Sequence, residues 1–193
     1  MLTLYFSPGS SAMATHIALH EVGAPFERKL VSLAKSENRA PEYLALNPEG
    51  KVPTLVIDGR ILTEVAGTLW YLARTYPQAE LLPQGDIEAE AQIVSWMSFI
   101  ASTIHPARRA GGERWRAVFH LAEKRLGGRP WAVGNYSIAD IHLFRLYWRF
   151  VDSEHPAAGD YPGLSAHYQR MMARAAVKKT IEIESAIGYQ LPR

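Results

Sequence analysis

The sequence predicts an α/β domain followed by an all-α domain. Three observations predict it. A strand–helix–strand pattern occupies the chain up to Leu33, an Asp58-Gly59 dipeptide separates two apolar runs, and helical periodicity alone follows Asp86.

Leu2 to Phe6 is a short apolar and aromatic run ended by Ser7-Pro8-Gly9, the pattern of a buried strand entering a turn. Met13, Ile17 and Ala18 then share a helical face, which stops at Gly23 with Pro25 beyond it. Glu27 to Leu33 alternates charged and apolar residues as a second strand does, completing a unit of the parallel-sheet kind. After the polar loop Ala34 to Glu42, the runs Thr54 to Ile57 and Arg60 to Leu62 flank Asp58-Gly59. Both central residues of a type I′ turn need positive φ, so this dipeptide signals a hairpin. Leu69, Leu72, Ala73 and Tyr76 recur at helical spacing, giving the order βαβ then ββα over residues 1–80.

Residues 81–86, Leu-Leu-Pro-Gln-Gly-Asp, read as a linker, and residues 87–193 as a helical domain. Ile93, Trp96, Met97, Ile100 and Ile104 form one long apolar stripe. Pro106 disfavours the αR conformation at His105, so that helix is expected to end or bend there and aim the imidazole toward the groove between the domains. Trp115 to Leu126 forms a helix stopped by Gly127-Gly128, and Ile138 to Val151 is apolar nearly all round, as a central helix is. Tyr168 to Val177 supplies one more helix.

With 193 residues, 48% of them hydrophobic, the chain is sized for one large or two small globular domains. It has no cysteine, which excludes disulfides, CxxC redox chemistry, thiolate nucleophiles and cysteine zinc sites. Thiol chemistry must therefore come from a bound small molecule. The 21 Lys+Arg and 19 Asp+Glu are scattered and leave a charge of only +2, so nucleic acid is not an expected partner. No basic segment precedes the first apolar run, which argues against a secretory signal. The uncharged run Ala91 to Ala107, of 17 residues, is too short and polar to span a bilayer. A cytoplasmic protein is expected.

Three segments carry candidate chemistry. A helix starting after Tyr5-Phe6-Ser7-Pro8-Gly9-Ser10-Ser11 presents free N–H groups and the positive end of its dipole, able to hold a carboxylate, a phosphate or a thiolate. In the plainer reading, Ser10 or Ser11 simply caps that helix. Pro53 precedes a strand and follows β-branched Val52. A cis bond there turns the Val52 backbone outward to pair with an extended ligand, while a trans proline only begins the strand. At Leu62-Thr63-Glu64-Val65-Ala66, Thr63 can cap a helix, Glu64 can meet an ammonium, and the N–H groups of Glu64 and Val65 can meet a carboxylate. Together these suit a zwitterionic amino-acid end, while Glu64 alone would complement the helix dipole.

Other polar residues receive structural readings. Ser137 and Asp140 form a capping box with Tyr136 and Ile141 as a hydrophobic staple, so Asp140 holds the fold. His16 and His20 lie four apart on a helix but lack a third ligand at useful spacing, so no metal site is expected. Gly9-Ser10-Ser11-Ala12-Met13 lacks the second glycine of a nucleophile elbow, which argues against a serine hydrolase.

The N-terminal turn, Asn47-Pro48-Glu49-Gly50-Lys51-Val52-Pro53, Leu62-Thr63-Glu64, Leu81-Leu82-Pro83 and Tyr136-Ser137-Ile138-Ala139-Asp140 together resemble the cytosolic glutathione S-transferases. The resemblance covers essentially the whole chain. It implies a thioredoxin-like N-terminal domain, an all-helical C-terminal domain and a homodimer. Thr15-His16-Ile17, with Trp96 nine residues before His105, is similar to the bacterial beta class. That class has a cysteine where this chain has Ser11. A hydroxyl forms no mixed disulfide with glutathione but can donate a hydrogen bond to a thiolate.

Carried over by position, the resemblance sets the glutathione cysteinyl backbone against Val52 with Pro53 cis, and the γ-glutamyl end at Glu64 and Val65. The family more often has Ser, Ala or Gly where Val65 stands, and the beta class often has Asn at Ser98. Lys35 and Lys51 approach the glycyl carboxylate. A free thiol, with a pKa of about 8.5, is mostly protonated at neutral pH, and a helix N-terminus with a donor lowers that value. The resemblance makes Ser11 the first donor and Ser10 the second, with His105 assisting and Tyr5 as a further candidate. The thiolate then attacks a small hydrophobic electrophile beside the helical domain, with glutathione as co-substrate and no metal. A glutathione-dependent peroxidase or isomerase, or a non-catalytic transferase-like interaction module, are the alternatives.

Overall fold

The computed structural model describes residues 1–157 and 159–189. Two compact units divide the chain: Met1–Tyr76 with the segment from Ala175 onward, and Pro77–Arg174.

The first unit contains strand β1 (Leu2–Phe6), helix α1 (Ala12–Val22), β2 (Phe26–Leu30), α2 (Pro41–Leu46), β3 (Thr54–Ile57), β4 (Arg60–Thr63) and α3 (Val65–Thr75). The sheet order is β2-β1-β3-β4, with β1 and β2 parallel and the other pairs antiparallel. Alternation along β1 separates two faces. Leu2, Leu4 and Phe6 are buried on one face, where Phe6 meets the His16 ring of α1 at 5.2 Å. Tyr5 points to the other and meets Tyr43 of α2 at 5.9 Å. The hairpin forms as expected, with φ of 47° at Asp58 and 81° at Gly59.

Two expectations change. Strand β2 ends at Leu30 rather than Leu33, because the chain turns at Ser32, whose N–H donates to the Glu37 carboxylate at 2.7 Å. The segment Ala34 to Glu42, read as loop, contains a 3₁₀ turn at Glu37–Arg39 and the start of α2. Helix α2 spans only 6 residues, too few to show a period.

In the second unit, helix α4 (Ile87–Phe99) and the π turn that follows it carry the apolar stripe, and all five stripe residues are buried. The helix does not end at His105, which adopts αR at φ −62° and ψ −48°. A π turn over Ile100–Ile104 widens the coil ahead of Pro106, and short helix α5 (His105–Ala107) continues it. The wider turn relieves the clash a proline ring makes with the carbonyl one turn back. Helices α6 (Gly112–Leu126), α7 (Ile138–Glu154) and α8 (Pro162–Ala173) complete this unit.

Where one helix was expected over Tyr168 to Val177, two form. Arg174 adopts extended backbone at ψ 137°, and α9 (Ala175–Ile187) begins after it. Helix α9 packs on α1 in the first unit, where His16 meets Glu184 and His20 meets Thr180. Residues 87–193 had been expected to form one helical domain that included this helix.

Candidate functional site

The register brings four chain segments to one end of the sheet. Tyr5 pairs with Thr54, Thr54 with Thr63, and Phe6 with Leu30. The exit of β1, the entry to β3 and the exits of β4 and β2 are therefore neighbours. Strands lie about 4.8 Å apart, so the strand ends that lead into the Ser7–Ser11 turn, the Lys51–Pro53 loop and the Glu64–Val65 corner lie within about 10 Å of one another.

The two serines at the start of α1 divide their tasks. Ser10 Oγ accepts the Ala12 N–H at 3.2 Å, its carbonyl accepts the Met13 N–H at 3.1 Å, and its side chain is buried. Ser11 is half-buried at φ −57° and its hydroxyl makes no capping bond. Among the described residues, the Ser11 N–H has no protein acceptor. No acidic side chain occupies the first turn of α1 itself.

The Val52–Pro53 bond is cis. Lys51 precedes it, and its carbonyl accepts Tyr43 Oη at 2.6 Å and Asn47 Nδ2 at 2.9 Å. Asn47 Nδ2 also reaches Thr54 Oγ1 at 3.0 Å, tying this loop to the sheet. Among the described residues, the N–H and C=O of Val52 pair with no protein group. Sequence reasoning assigned no role to Tyr43 or Asn47. Tyr43 lies just past the apparent loop, and Asn47 served only as part of a motif.

At the third segment, Thr63 ends β4 and does not cap α3. Glu64 takes the flanking position instead, at φ 63° and ψ 131°. The N–H groups of Glu64 and Val65 have no protein acceptor among the described residues. The Glu64 side chain is exposed and forms no ion pair there, while Val65 is buried. A carboxylate beside two open N–H donors is complementary to an ammonium and a carboxylate on one carbon.

The lysines differ. The Lys51 ammonium bonds Glu49 at 2.6 Å, while Lys35 is exposed and its backbone N–H donates to Ser32 Oγ at 3.3 Å. Tyr5 is not brought to the α1 turn, because strand alternation turns it to the α2 face. There Lys29 donates to its Oη at 3.4 Å, and a cavity of about 540 Å³ opens beside it.

His105 belongs to the second unit and is exposed. With Arg145 it adds to the burial that holds the His142 pKa down at about 3. Ser98 is exposed, and its carbonyl accepts Ser102 Oγ at 2.8 Å. His16 and His20 meet Glu184 and Thr180 across α9, and no cluster of three metal-ligating side chains occurs among the described residues.

Two family models match the chain: the N-terminal domain of glutathione S-transferases over residues 9–75, and their C-terminal domain over residues 103–175. A glutathione S-transferase of Xanthomonas campestris pv. campestris is 32% identical, across 95% of this chain and 98% of that one. The chain belongs to the glutathione S-transferase family.

Solved transferase structures agree. A glutathione transferase homolog from Sulfitobacter with bound glutathione is 34% identical at a TM-score of 0.89, covering 95% of this chain and 98% of its own. The beta-class glutathione S-transferase of Sphingomonas chungbukensis is 29% identical at a TM-score of 0.85, covering 94% and 98%. The four-stranded mixed sheet and helical C-terminal part described above are thus the transferase fold, with the thioredoxin-like domain expected from the sequence.

Proposed function

We propose that this glutathione S-transferase binds glutathione along the sheet end and ionises its thiol at the start of α1. The thiolate attacks an electrophilic carbon of a small hydrophobic molecule. A C–S bond forms, the leaving group departs with its bonding pair, and the thiol proton passes to water.

The observation that carries this reading is the division between the serines. Ser10 caps α1, which leaves the Ser11 N–H and hydroxyl uncommitted at the positive end of the helix. At neutral pH, a thiol with pKa about 8.5 is only about 3% ionised. A hydrogen bond and a helix terminus, each contributing about 1 kcal/mol, lower that pKa by about 1.5 units and make roughly half of it thiolate. Glu64 and the N–H groups of Glu64 and Val65 take the γ-glutamyl zwitterion, and Val52 pairs with the cysteinyl main chain. Lys35 and Lys51 face the glycyl carboxylate, and His105 assists at the sulfur. The electrophile is assigned to the helical part, residues 87–193. The protein is proposed to act in the cytoplasm as a homodimer, as the family resemblance implies.

Calorimetric titration with glutathione tests binding, and the ultraviolet absorbance of the thiolate against pH tests activation. Wild-type protein binds with saturable heat, and Glu64→Ala weakens binding at least about tenfold by removing the ammonium's partner. Ser11→Ala raises the pKa of the bound thiol. No heat at millimolar glutathione would rule out the binding reading, and an unchanged thiol pKa in Ser11→Ala would remove Ser11 from its role.

A further inference from the structure

One face of the sheet is only partly covered. Helix α1 packs on the Phe6 face, while α2 lies against the face shared by Tyr5 and its strand partner Lys29. With 6 residues, α2 is about 9 Å long, less than the roughly 14 Å width of four strands. The cavity of about 540 Å³ opens between α2 and β2, a size that takes a drug-sized ligand. None of its lining residues belongs to the Ser7–Ser11 turn, the Lys51–Pro53 loop or the Glu64–Val65 corner.

The apolar wall is fixed. The Tyr43 ring forms part of it, held through an Oη that donates to Lys51 O at 2.6 Å and meets Thr54 Oγ1 at 2.9 Å. Burial pushes the Tyr43 pKa up, so its phenol stays neutral. Val31, which is buried, and half-buried Leu46 extend the wall.

The charges around this wall do not answer one another. Lys29, Glu37 and Glu42 all line the cavity, yet among the described residues Lys29 pairs with neither carboxylate. Its ammonium donates to Tyr5 Oη at 3.4 Å and stands 5.4 Å from the centre of the Tyr5 ring. That leaves further ammonium protons and the Tyr5 hydroxyl proton as neighbouring donors, the pattern that a carboxylate accepts. Glu37 accepts the Ser32 N–H at 2.7 Å, which fixes one carboxylate at the rim. The exposed Glu42 side chain has no partner among the described residues.

A simple anion would meet Lys29 but also two carboxylates. A simple cation would meet the carboxylates but also Lys29. A molecule that carries both charges at separate ends, with an apolar body between, satisfies all three groups. An extended dipeptide spans about 7 Å between its ends, which suits opposite charges held apart across a cavity. A free amino acid carries both on one carbon.

We propose that this cavity binds a short zwitterionic peptide with apolar side chains, its carboxylate on Lys29 and the Tyr5 hydroxyl and its ammonium on Glu42 and Glu37. The peptide's side chains lie against Tyr43, Val31 and Leu46. The site is separate from the one proposed for glutathione and does not depend on the role given to Ser11.

Calorimetric titration of the full chain with leucyl-phenylalanine, in saturating S-methylglutathione, tests it. Saturable heat is expected, with N-acetyl-leucyl-phenylalanine, which lacks the ammonium, and leucyl-phenylalanine amide, which lacks the carboxylate, each at least about fivefold weaker. Lys29→Gln and Glu42→Gln, both at exposed positions, each weaken the parent peptide by about fivefold. Lys29→Gln also closes the gap between the parent and the amide, and Glu42→Gln the gap between the parent and the N-acetyl peptide. No heat at millimolar peptide would overturn the inference, as would a blocked peptide that binds like the parent, or variants that keep its full affinity. Heat that appears only when S-methylglutathione is left out would place the peptide in the glutathione site and overturn the inference too. Failure to bind glutathione would leave the peptide titration readable, so the two proposals fall separately.

Discussion

Thr15 and Thr68 join their Oγ1 atoms at 2.7 Å, with neither side chain exposed. Thr68 already donates to Val65 O at 2.9 Å, so the Thr15 hydroxyl is the donor between them. This chain of two bonds runs from α1, which begins beside Ser11, to the first turn of α3, which begins beside Glu64. Thr68→Val strands a buried hydroxyl on Thr15, and is expected to lower stability by about 1–3 kcal/mol. Thr15→Val leaves the Thr68–Val65 bond in place and lowers it by about 1 kcal/mol. The double variant recovers part of the Thr68→Val loss, because no lone hydroxyl remains on α1. Urea unfolding of the four proteins checks this, and equal losses in both single variants would refute the donor assignment.

Glu64 stands in a conformation that side-chain-bearing residues avoid, at φ 63° and ψ 131°. Such a residue costs of order 1–3 kcal/mol, and strain of this kind marks sites where geometry serves a ligand. Glycine adopts the conformation freely but loses up to about 1 kcal/mol more chain entropy on folding. Glu64→Gly should therefore raise stability by about 1 kcal/mol while weakening glutathione at least about tenfold. Glu64→Ala keeps the strain and should show the binding loss without the gain. Thermal unfolding with calorimetry separates them, and a Glu64→Gly protein no more stable than Glu64→Ala would remove strain as an explanation.

What the sequence revealed was what local rules govern. Asp58-Gly59, the helix stops at Gly23 and Gly127, and the Ser137–Asp140 box each depend on residues within one turn of each other, and each forms as read. Helix α2 was hidden because its 6 residues give no period, and the break at Arg174 because no glycine or proline marks it. The choice between Ser10 and Ser11 depended on backbone angles that residue type does not encode. The pairing of His16 with Glu184 spans 168 residues and leaves no local trace. The two histidines were visible as a pair four apart, but their partners on α9 were not.

Asp140 gathers more than its capping box. Its Oδ2 accepts the Ser137 N–H at 2.9 Å and the Ser137 hydroxyl at 3.1 Å. Its Oδ1 accepts the Ala132 N–H at 2.7 Å and His167 Nε2 at 3.0 Å. One buried carboxylate therefore joins the start of α7, the loop before it and α8. Asp140→Ala strands several buried donors and should cost about 3–5 kcal/mol. Asp140→Asn keeps one acceptor oxygen and should cost less. Chemical denaturation reads both, and a loss below about 1 kcal/mol in Asp140→Ala would show that the network is not holding these elements together.

Acid should weaken the fold through its buried histidines. His142 is 4% exposed, and burial, followed by the charges of His105 and Arg145, holds its pKa down at about 3. An unfolded histidine titrates near 6.5, so below that pH the unfolded chain takes up a proton that the folded chain refuses. The stability tied to His142 is complete above about pH 6.5 and is lost progressively as pH falls toward about 3. Around pH 5 the loss is on the order of 2 kcal/mol. His20, held at about 4, acts in the same direction. A neutral side chain at position 142 removes this linkage, so His142→Gln, though less stable at neutral pH, should lose less on acidification than wild type. Urea midpoints measured at about pH 7.5 and about pH 5 make the comparison. Identical losses in the two proteins would mean that His142 is protonated in the folded state or solvated enough to titrate normally.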